Sequence, residues 1–477
     1  MEFKEIIKAV ILIALYFVVA PLTGFLLRHS RPGQRILMFL LCFMTTSGFL
    51  AAGEWGLSLG SVLYRGHSRG FHFYFAEVVA VALIFASMTG NWRGFRFMPP
   101  GLWVWLLYCV FSLFSIINAP VTSYVLMAAL KAFKIVLIFV AAYNFIQEEE
   151  DLRHVLFCMA VTMFWQLFVV LKMKYVDHVY QVFGTFEHQN SLSMFTTMIG
   201  MVFLAVALGP KHPRSNLFLC AYIACAAIVQ STLSRGGLAM FALGTGAVLL
   251  FSLIDKPTKR RWYVMGTIAV VGGLGLLFTM DTIMSRFQDY GNDESSRTRV
   301  FLNRAAVAMF KDYPIGVGWN NFGHVINHPY PYGNEIDHWQ KINNNKVDKN
   351  YKKGVVESLY HLVLSETGLH SLVVFVSFLF LFLWRNVRAA IFFRTHFLGA
   401  FSIGVFVGCT MNYAQSFLER VLTQPRNLTL WLILLGVVAK IETWRRIEKK
   451  MAATEQANAH DLVRYEDNDD LEPAMNS

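Results

Sequence analysis

Residues 191–261 read SLSMFTTMIGMVFLAVALGPKHPRSNLFLCAYIACAAIVQSTLSRGGLAMFALGTGAVLLFSLIDKPTKRR. Three apolar runs, near 191–209, 216–231 and 236–254, approach the roughly 20 residues that a helix needs to cross a hydrocarbon core. The connectors alternate in character. The stretch 211–214 and Lys256-Pro-Thr-Lys-Arg-Arg261 are basic, whereas Ser234-Arg-Gly-Gly237 between them is small and polar. Lysine and arginine in short connectors mark the cytoplasmic side, so the stretch predicts three spans whose basic ends share one side and whose Ser234 turn faces the other.

Working outward, spans of the same kind fall near 6–27, 36–52, 73–90, 102–118, 122–145, 153–171, 262–280, 367–384, 397–414 and 428–443. Pro21 and the Gly-rich stretch after Ala52 allow one of the first two to be re-entrant. Alternation places the basic segments 28–35, 93–96, 385–394 and 440–450 with the other basic connectors. The opposite, periplasmic side receives 172–190, the Ser234 turn, the long segment 281–366 and 415–427. The expected fold class is an all-α polytopic membrane protein with about 12–13 transmembrane helices and one large, mainly helical periplasmic loop. Its expected parts are an N-terminal transmembrane bundle (1–280), the periplasmic loop (281–366), C-terminal transmembrane helices (367–446) and a cytoplasmic, disordered tail (447–477) rich in acidic residues such as Asp467, Asp469 and Asp470.

Composition agrees with a bilayer as the solvent. The chain is 55% hydrophobic with a mean hydropathy of +0.45, above what a charged, water-facing surface would leave in a soluble protein of this size. A net charge of +11 would point to nucleic acid in a soluble chain, but the excess sits in the connectors, so no nucleic-acid partner is expected. The first apolar segment is too long for a signal-peptide core and is followed by Arg28, Arg31 and Arg35, which predicts a retained span. All six cysteines lie in apolar spans with no pair at metal-ligand spacing, so neither disulfides nor a metal site is expected. No internal repeat and no matching pair of broken helices marks the chain as a secondary transporter.

Five groups of residues carry chemical possibilities. Arg235 keeps its charge among small neighbours, which suits a phosphate at the membrane surface, or else it snorkels at a helix end. Glu294, Ser295 and Ser296 start a helix in which Val300, Phe301, Arg304, Ala305 and Ala308 recur and which Pro314, Gly316 and Gly318 end; Arg299 in its early turns faces the membrane surface or pairs with Asp293 or Glu294. Trp319, Tyr330, Tyr332, His338 and Trp339 lie in a stretch rich in Asn and Gly, fitting either a sugar-binding surface or an interfacial aromatic belt. Glu357, His361 and Ser365 recur at helical spacing, so the first two share a face as a general-base pair or as a structural pair, with Glu366 a little round from them. Lys131 and Lys134 fall mid-span, where they attract a pyrophosphate or are neutralised by a buried carboxylate such as Glu77.

In order and topology these pieces resemble the O-antigen ligase and Wzy-type polymerase superfamily, bacterial membrane glycosyltransferases of the GT-C type. The resemblance runs from about residue 120 onward. It rests on Gly184-Thr-Phe-Glu-His-Gln-Asn190 before a span, Ser234-Arg-Gly-Gly237 between two spans, Arg299 ahead of Pro314-Ile-Gly-Val-Gly318, and Leu359-Tyr followed by Glu366-Thr-Gly368. It implies transfer of a polyprenyl-pyrophosphate-linked glycan to an acceptor hydroxyl on the periplasmic side, without nucleotide sugar, metal or other cofactor. The family's pyrophosphate-holding arginines match Arg235 and Arg299. Its ligases usually carry His-Asn nine residues before Glu-x-Gly, where this chain has Glu357-Ser358, so the base falls to Glu357 or His361 or the acceptor differs. Arg235, Arg299, Glu357 and His361 are thus the catalytic candidates; Lys131, Lys134, His188, Asn190, Arg297 and Glu366 are the substrate-binding ones. Implied partners are the lipid-linked donor, a saccharide or lipid-linked acceptor, membrane lipids, a flippase and a chain-length regulator. A transporter or flippase for the same lipid-linked saccharides is the competing reading, with a non-catalytic scaffold behind it.

Overall fold

The computed structural model describes residues 13–46, 55–57, 71–210, 213–254, 258–288, 294–344 and 353–469, with residues 7, 10 and 11 besides. The first ten described helices are α1 (Leu15–Leu26), α2 (Arg31–Met44), α3 (Phe75–Gly90), α4 (Leu102–Asn118), α5 (Thr122–Phe145), α6 (Glu149–Tyr175), α7 (Gln189–Leu208), α8 (Ser215–Thr232), α9 (Arg235–Leu253) and α10 (Lys259–Gln288). A two-stranded ribbon, Trp55–Leu57 against Phe71–Phe73, lies between α2 and α3. After α10 come α11 (Glu294–Asp312), α12 (Phe322–Val325), α13 (Asn334–Asn344), α14 (Leu359–Phe392), α15 (Phe397–Gln415) and α16 (Pro425–Asp469). Eight of the described helices are long and apolar enough to cross a membrane, and α1, α3 and α4 are shorter apolar helices. The chain is an all-α polytopic membrane protein, and the described part of each predicted span falls on a helix, residues 6, 8, 9 and 12 of the first and 47–52 of the second lying outside the described residues.

Helix α7 is the axis of the C-terminal half: apolar on every side, it is buried along its whole hydrophobic window and packs against α8, α9 and α15. Glycines set how closely α15 approaches it. A Cβ at Gly404 would come within 2.5 Å of Val202 Cα, and one at Gly408 within 2.4 Å of the Met198 carbonyl oxygen. That small-residue stripe lets two backbones touch where no hydrophobic effect drives helices together. On the other side α4 and α15 pack on α14, and α16 packs on α5 and α14.

The two ends of the bundle differ in charge, as the connectors predicted. At one end Arg31 and Arg35 pair with Asp151, His396 with Glu149 at 3.3 Å, and Arg261 and Arg394 donate to the carbonyls of Leu208 and Ile254. At the other end the segments 184–190, 234–237, 299, 357–361 and 415–427 meet. The extramembrane loop builds its own small core there, from Leu302, Ala306 and Met309 of α11 with Phe322, Val325, Ile336 and Val356. Its buried stripe is Leu302, Ala305, Ala306 and Met309; Val300 is exposed, so the expected stripe is turned by about one residue.

Two expectations need correction. The segment predicted as a disordered tail is helical as far as Asp469, because α16 runs on through Met451-Ala-Ala-Thr-Glu-Gln-Ala, all but the threonine strong helix formers. Glu357 lies outside α14: Ser358 is the N-cap with extended backbone, so Glu357 and His361 do not share a helical face.

Candidate functional site

Two helices begin side by side at the polar end. Ser234 caps α9 by accepting from the Gly237 amide at 3.2 Å, and its hydroxyl donates to Asn190 Oδ1 at 2.7 Å. His188 caps α7, its Nδ1 accepting from the Asn190 amide at 3.2 Å. Burial, reinforced by the neighbouring Arg299 and opposed by Glu357, holds the His188 imidazole below its ordinary range, so the neutral ring that this acceptor role needs prevails. The double glycine exists for close packing. A Cβ at Gly236 would meet the Gln415 amide at 2.5 Å, and one at Gly237 would meet Ser193 Oγ at 2.3 Å. Arg235, half-buried, is the first residue of α9 at this junction, where the positive ends of two helix dipoles add to its charge.

From Asn190 the network continues across the site. Its Nδ2 donates to Glu419 Oε1 at 2.6 Å, and Arg299 Nη2 donates to the same oxygen at 2.7 Å. Arg299 Nε donates to Glu357 in a second ion pair. One guanidinium is therefore held between two carboxylates from different connectors. Glu419 is 14% exposed. Burial first, then repulsion from Glu357, pushes its carboxyl up to about 7 against the attraction of Arg299, Asn190 and Arg420. A group poised near neutrality, hydrogen-bonded and beside a fixed cation, can both accept and return a proton.

The motif pieces after Arg299 dock against one another. The amides of Val317 and Gly318 donate to the carbonyls of Ser365 and Glu366 at 2.9 and 3.1 Å, carbonyls left open because α14 breaks at Gly368, with φ 80° and ψ 173°. Gly316 at φ 99° and Gly318 at φ 106° supply the left-handed backbone this approach requires. Glu366 is thereby fixed, its Oε1 accepting from the Phe322 amide at 3.1 Å, and it faces an inner cavity of about 190 Å³ between α3, α5, α14 and the start of α16. Lys131, Lys134, Glu77, Trp319, Asn320 and Arg420 line the same space.

The sequence candidates thus divide between two neighbouring places. Arg299, Glu357, Asn190 and His188 belong to the outer network, with Arg235 beside Ser234 at its edge. Arg297 is exposed. His361 bonds to Ser358 Oγ at 2.8 Å and not to Glu357. Lys131, Lys134 and Glu366 belong to the inner cavity, where Lys134 pairs with Glu77 at 2.9 Å, the neutralising carboxylate that the sequence named. Of the aromatic set, Trp319 lines the cavity and stacks edge-on to Tyr108, while Tyr332 is tied to Asp312 and Tyr330 packs by His324. Sequence reasoning missed Glu419 and Arg420. The available signal was their place in the 415–427 connector, in which Glu419 is the single acidic residue.

Fold and site together define a multi-pass helical membrane protein that gathers arginines, carboxylates and helix N-termini at one end of its bundle. Residues 218–348 match the family model described as O-Antigen ligase, which supports placing the chain in the O-antigen ligase and Wzy-type superfamily. The matched span contains Arg235 and Arg299 and ends ahead of Glu357, His361 and Glu366. It supports a ligase or polymerase type of function in general, and with it a glycosyltransferase-like enzyme. No curated protein matches the chain.

Proposed function

We propose that the protein moves a saccharide from a polyprenyl-pyrophosphate carrier to an acceptor hydroxyl, at the polar end of its bundle and on the periplasmic face of a bacterial inner membrane. The observation that carries this reading is the continuous chain Ser234, Asn190, Glu419, Arg299, Glu357, which joins the start of α9, headed by Arg235, to the second arginine expected to grip a diphosphate. The basic opposite end supports the sidedness.

Pyrophosphate already leaves readily, so the enzyme's work is to neutralise the departing charge and to orient the acceptor. The acceptor oxygen bonds to the anomeric carbon as the bond from that carbon to the pyrophosphate oxygen breaks, and the electron pair departs with the lipid diphosphate toward Arg235 and Arg299. The acceptor proton passes to Glu419, while Glu357 holds Arg299 from its other side. No cofactor enters the step as written. A flippase that delivers the donor and a regulator of product length are the natural neighbours of such a reaction.

The test is transfer by the purified protein from a short lipid-linked saccharide. Arg235→Ala and Arg299→Gln are each expected to lose transfer by about 100-fold or more, with membrane insertion and solution behaviour intact. Unchanged transfer in both variants overturns the reading, and movement of the lipid-linked saccharide across vesicles without transfer selects a flippase instead.

A further inference from the structure

The inner cavity has no role in the step just described. Its walls carry three cationic side chains, Lys131, Lys134 and Arg420, against two carboxylates, Glu77 and Glu366. Both carboxylates are engaged: Glu77 by Lys134 and Tyr16, and Glu366 by the Phe322 amide. The surplus is positive. Lys131 lies nine residues along α5 from Thr122, so the cavity descends roughly 14 Å from the polar end at 1.5 Å per residue. Ionised groups at that depth are costly in a bilayer and line a pathway or site far more often than they serve packing. The remaining wall is mostly apolar, with Ala128, Ile135, Ile138 and Leu428 beside Thr423 and Thr429. Asn320, which lines the cavity, is held at φ 60°, and its buried Nδ2 has no acceptor among the described residues. A buried amide of this kind calls for an acceptor from outside. Finally, Glu419 of the outer network and Arg420 of the cavity are adjacent residues, so the two spaces share a wall.

We infer that this cavity is a second anion-binding compartment, distinct from the Arg299 network, that takes the phosphorylated head group of an amphiphilic second substrate. Cations spaced from Arg420 at the polar end down to Lys131 and Lys134, with aliphatic side chains between and beyond them, suit a phosphorylated group carried on an apolar tail, and neither a neutral sugar nor a bare lipid tail would use both. Calling that ligand the acceptor rests on the proposed function; the binding itself does not. The Glu419-Arg420 pair then sets the acceptor hydroxyl against the donor, with Glu419 reaching into one space and Arg420 into the other.

The test counts bound probe by native mass spectrometry, using the full chain in phosphatidylcholine nanodiscs and farnesyl pyrophosphate as probe. Two equivalents are expected on the unaltered protein, one on the double variant Lys131→Gln with Arg420→Gln, and two again on the conservative pair Lys131→Arg with Arg420→Lys. Arg299→Gln is expected to retain the cavity equivalent alone. If it keeps both while the Lys131/Arg420 variant keeps one, the donor site fails and the cavity stands. A single equivalent on the unaltered protein, or two on the Lys131/Arg420 variant, overturns the inference. Inorganic pyrophosphate should displace the probe from the cavity, and failure to do so would mean apolar binding only and overturn the anion class. Lysophosphatidic acid as a second probe separates the sources: tighter binding of farnesyl pyrophosphate by about tenfold assigns a lipid-carried diphosphate, and the reverse order a phosphomonoester on a glycolipid.

Discussion

The substitution Glu357→Gln tests the electrostatics of the outer network with little change of shape. Glu357 and Glu419 grip the same guanidinium, one at Nε and the other at Nη2, and repulsion from Glu357 is the second cause, after burial, of the raised Glu419 carboxyl. Oxygens sharing one guanidinium lie roughly 5 Å apart, where two unit charges repel by about 1 kcal/mol in water and about 3 kcal/mol at an effective dielectric constant of 20. Glu357 is 37% exposed, so solvent screening selects the lower figure. About 1 kcal/mol corresponds to about 0.7 pH unit. The sign is fixed by both consequences of the change: the like charge is removed, and Arg299 turns wholly to Glu419, each favouring the carboxylate. With Glu419 as base, transfer by the unaltered enzyme rises with pH through a midpoint near 7. In Glu357→Gln the midpoint should fall by about half to one unit, measured as kcat/KM from pH 5.5 to 8.5 with a short lipid-linked donor. A midpoint that stays put or rises would refute the assignment of Glu419 and the network behind it.

Other perturbations reach the supporting structure. Lys134→Met leaves Glu77 a buried carboxylate without its cation, held only by the Tyr16 hydroxyl and the Tyr74 amide, and should cost about 3 kcal/mol, read as a lower melting temperature in detergent, with most of it restored in the double variant that adds Glu77→Gln. Gly237→Ala drives a methyl into Ser193 Oγ and should destabilise by about 1–3 kcal/mol while weakening donor binding, because it pushes the start of α9 off α7. Gly368→Ala combines a left-handed backbone with a Cβ 2.6 Å from the Pro314 carbonyl oxygen; a loss of about 1–3 kcal/mol together with most of the transfer activity is expected, whereas unchanged activity would separate the α14 break from function.

Much of this was open to reading in one dimension. The described part of each predicted span is a helix because a bilayer imposes length and apolarity locally, and the basic connectors lie together at one end, as alternation of the spans requires. Arg235 and Arg299 stood out as cations among small or polar neighbours, and Glu77 could be named for Lys134 because a buried ammonium needs a carboxylate. Where reading failed, the cause was local as well: helical spacing was extended one turn too far upstream at Glu357, beyond the cap at Ser358.

What the tertiary structure alone decided is which charges meet. Glu419 is 120 residues from Arg299 and 229 from Asn190, and its connector carries no periodicity that would single it out. The separation of an outer arginine network from an inner cavity of lysine, arginine and glutamate is likewise invisible along the chain, since α5, α14 and the start of α16 each supply a wall. Spans follow from each segment's own exchange with water and lipid, whereas an ion pair's partner, and with it the proton affinity of a buried carboxylate, follows from distance and burial, which exist only once the helices have packed.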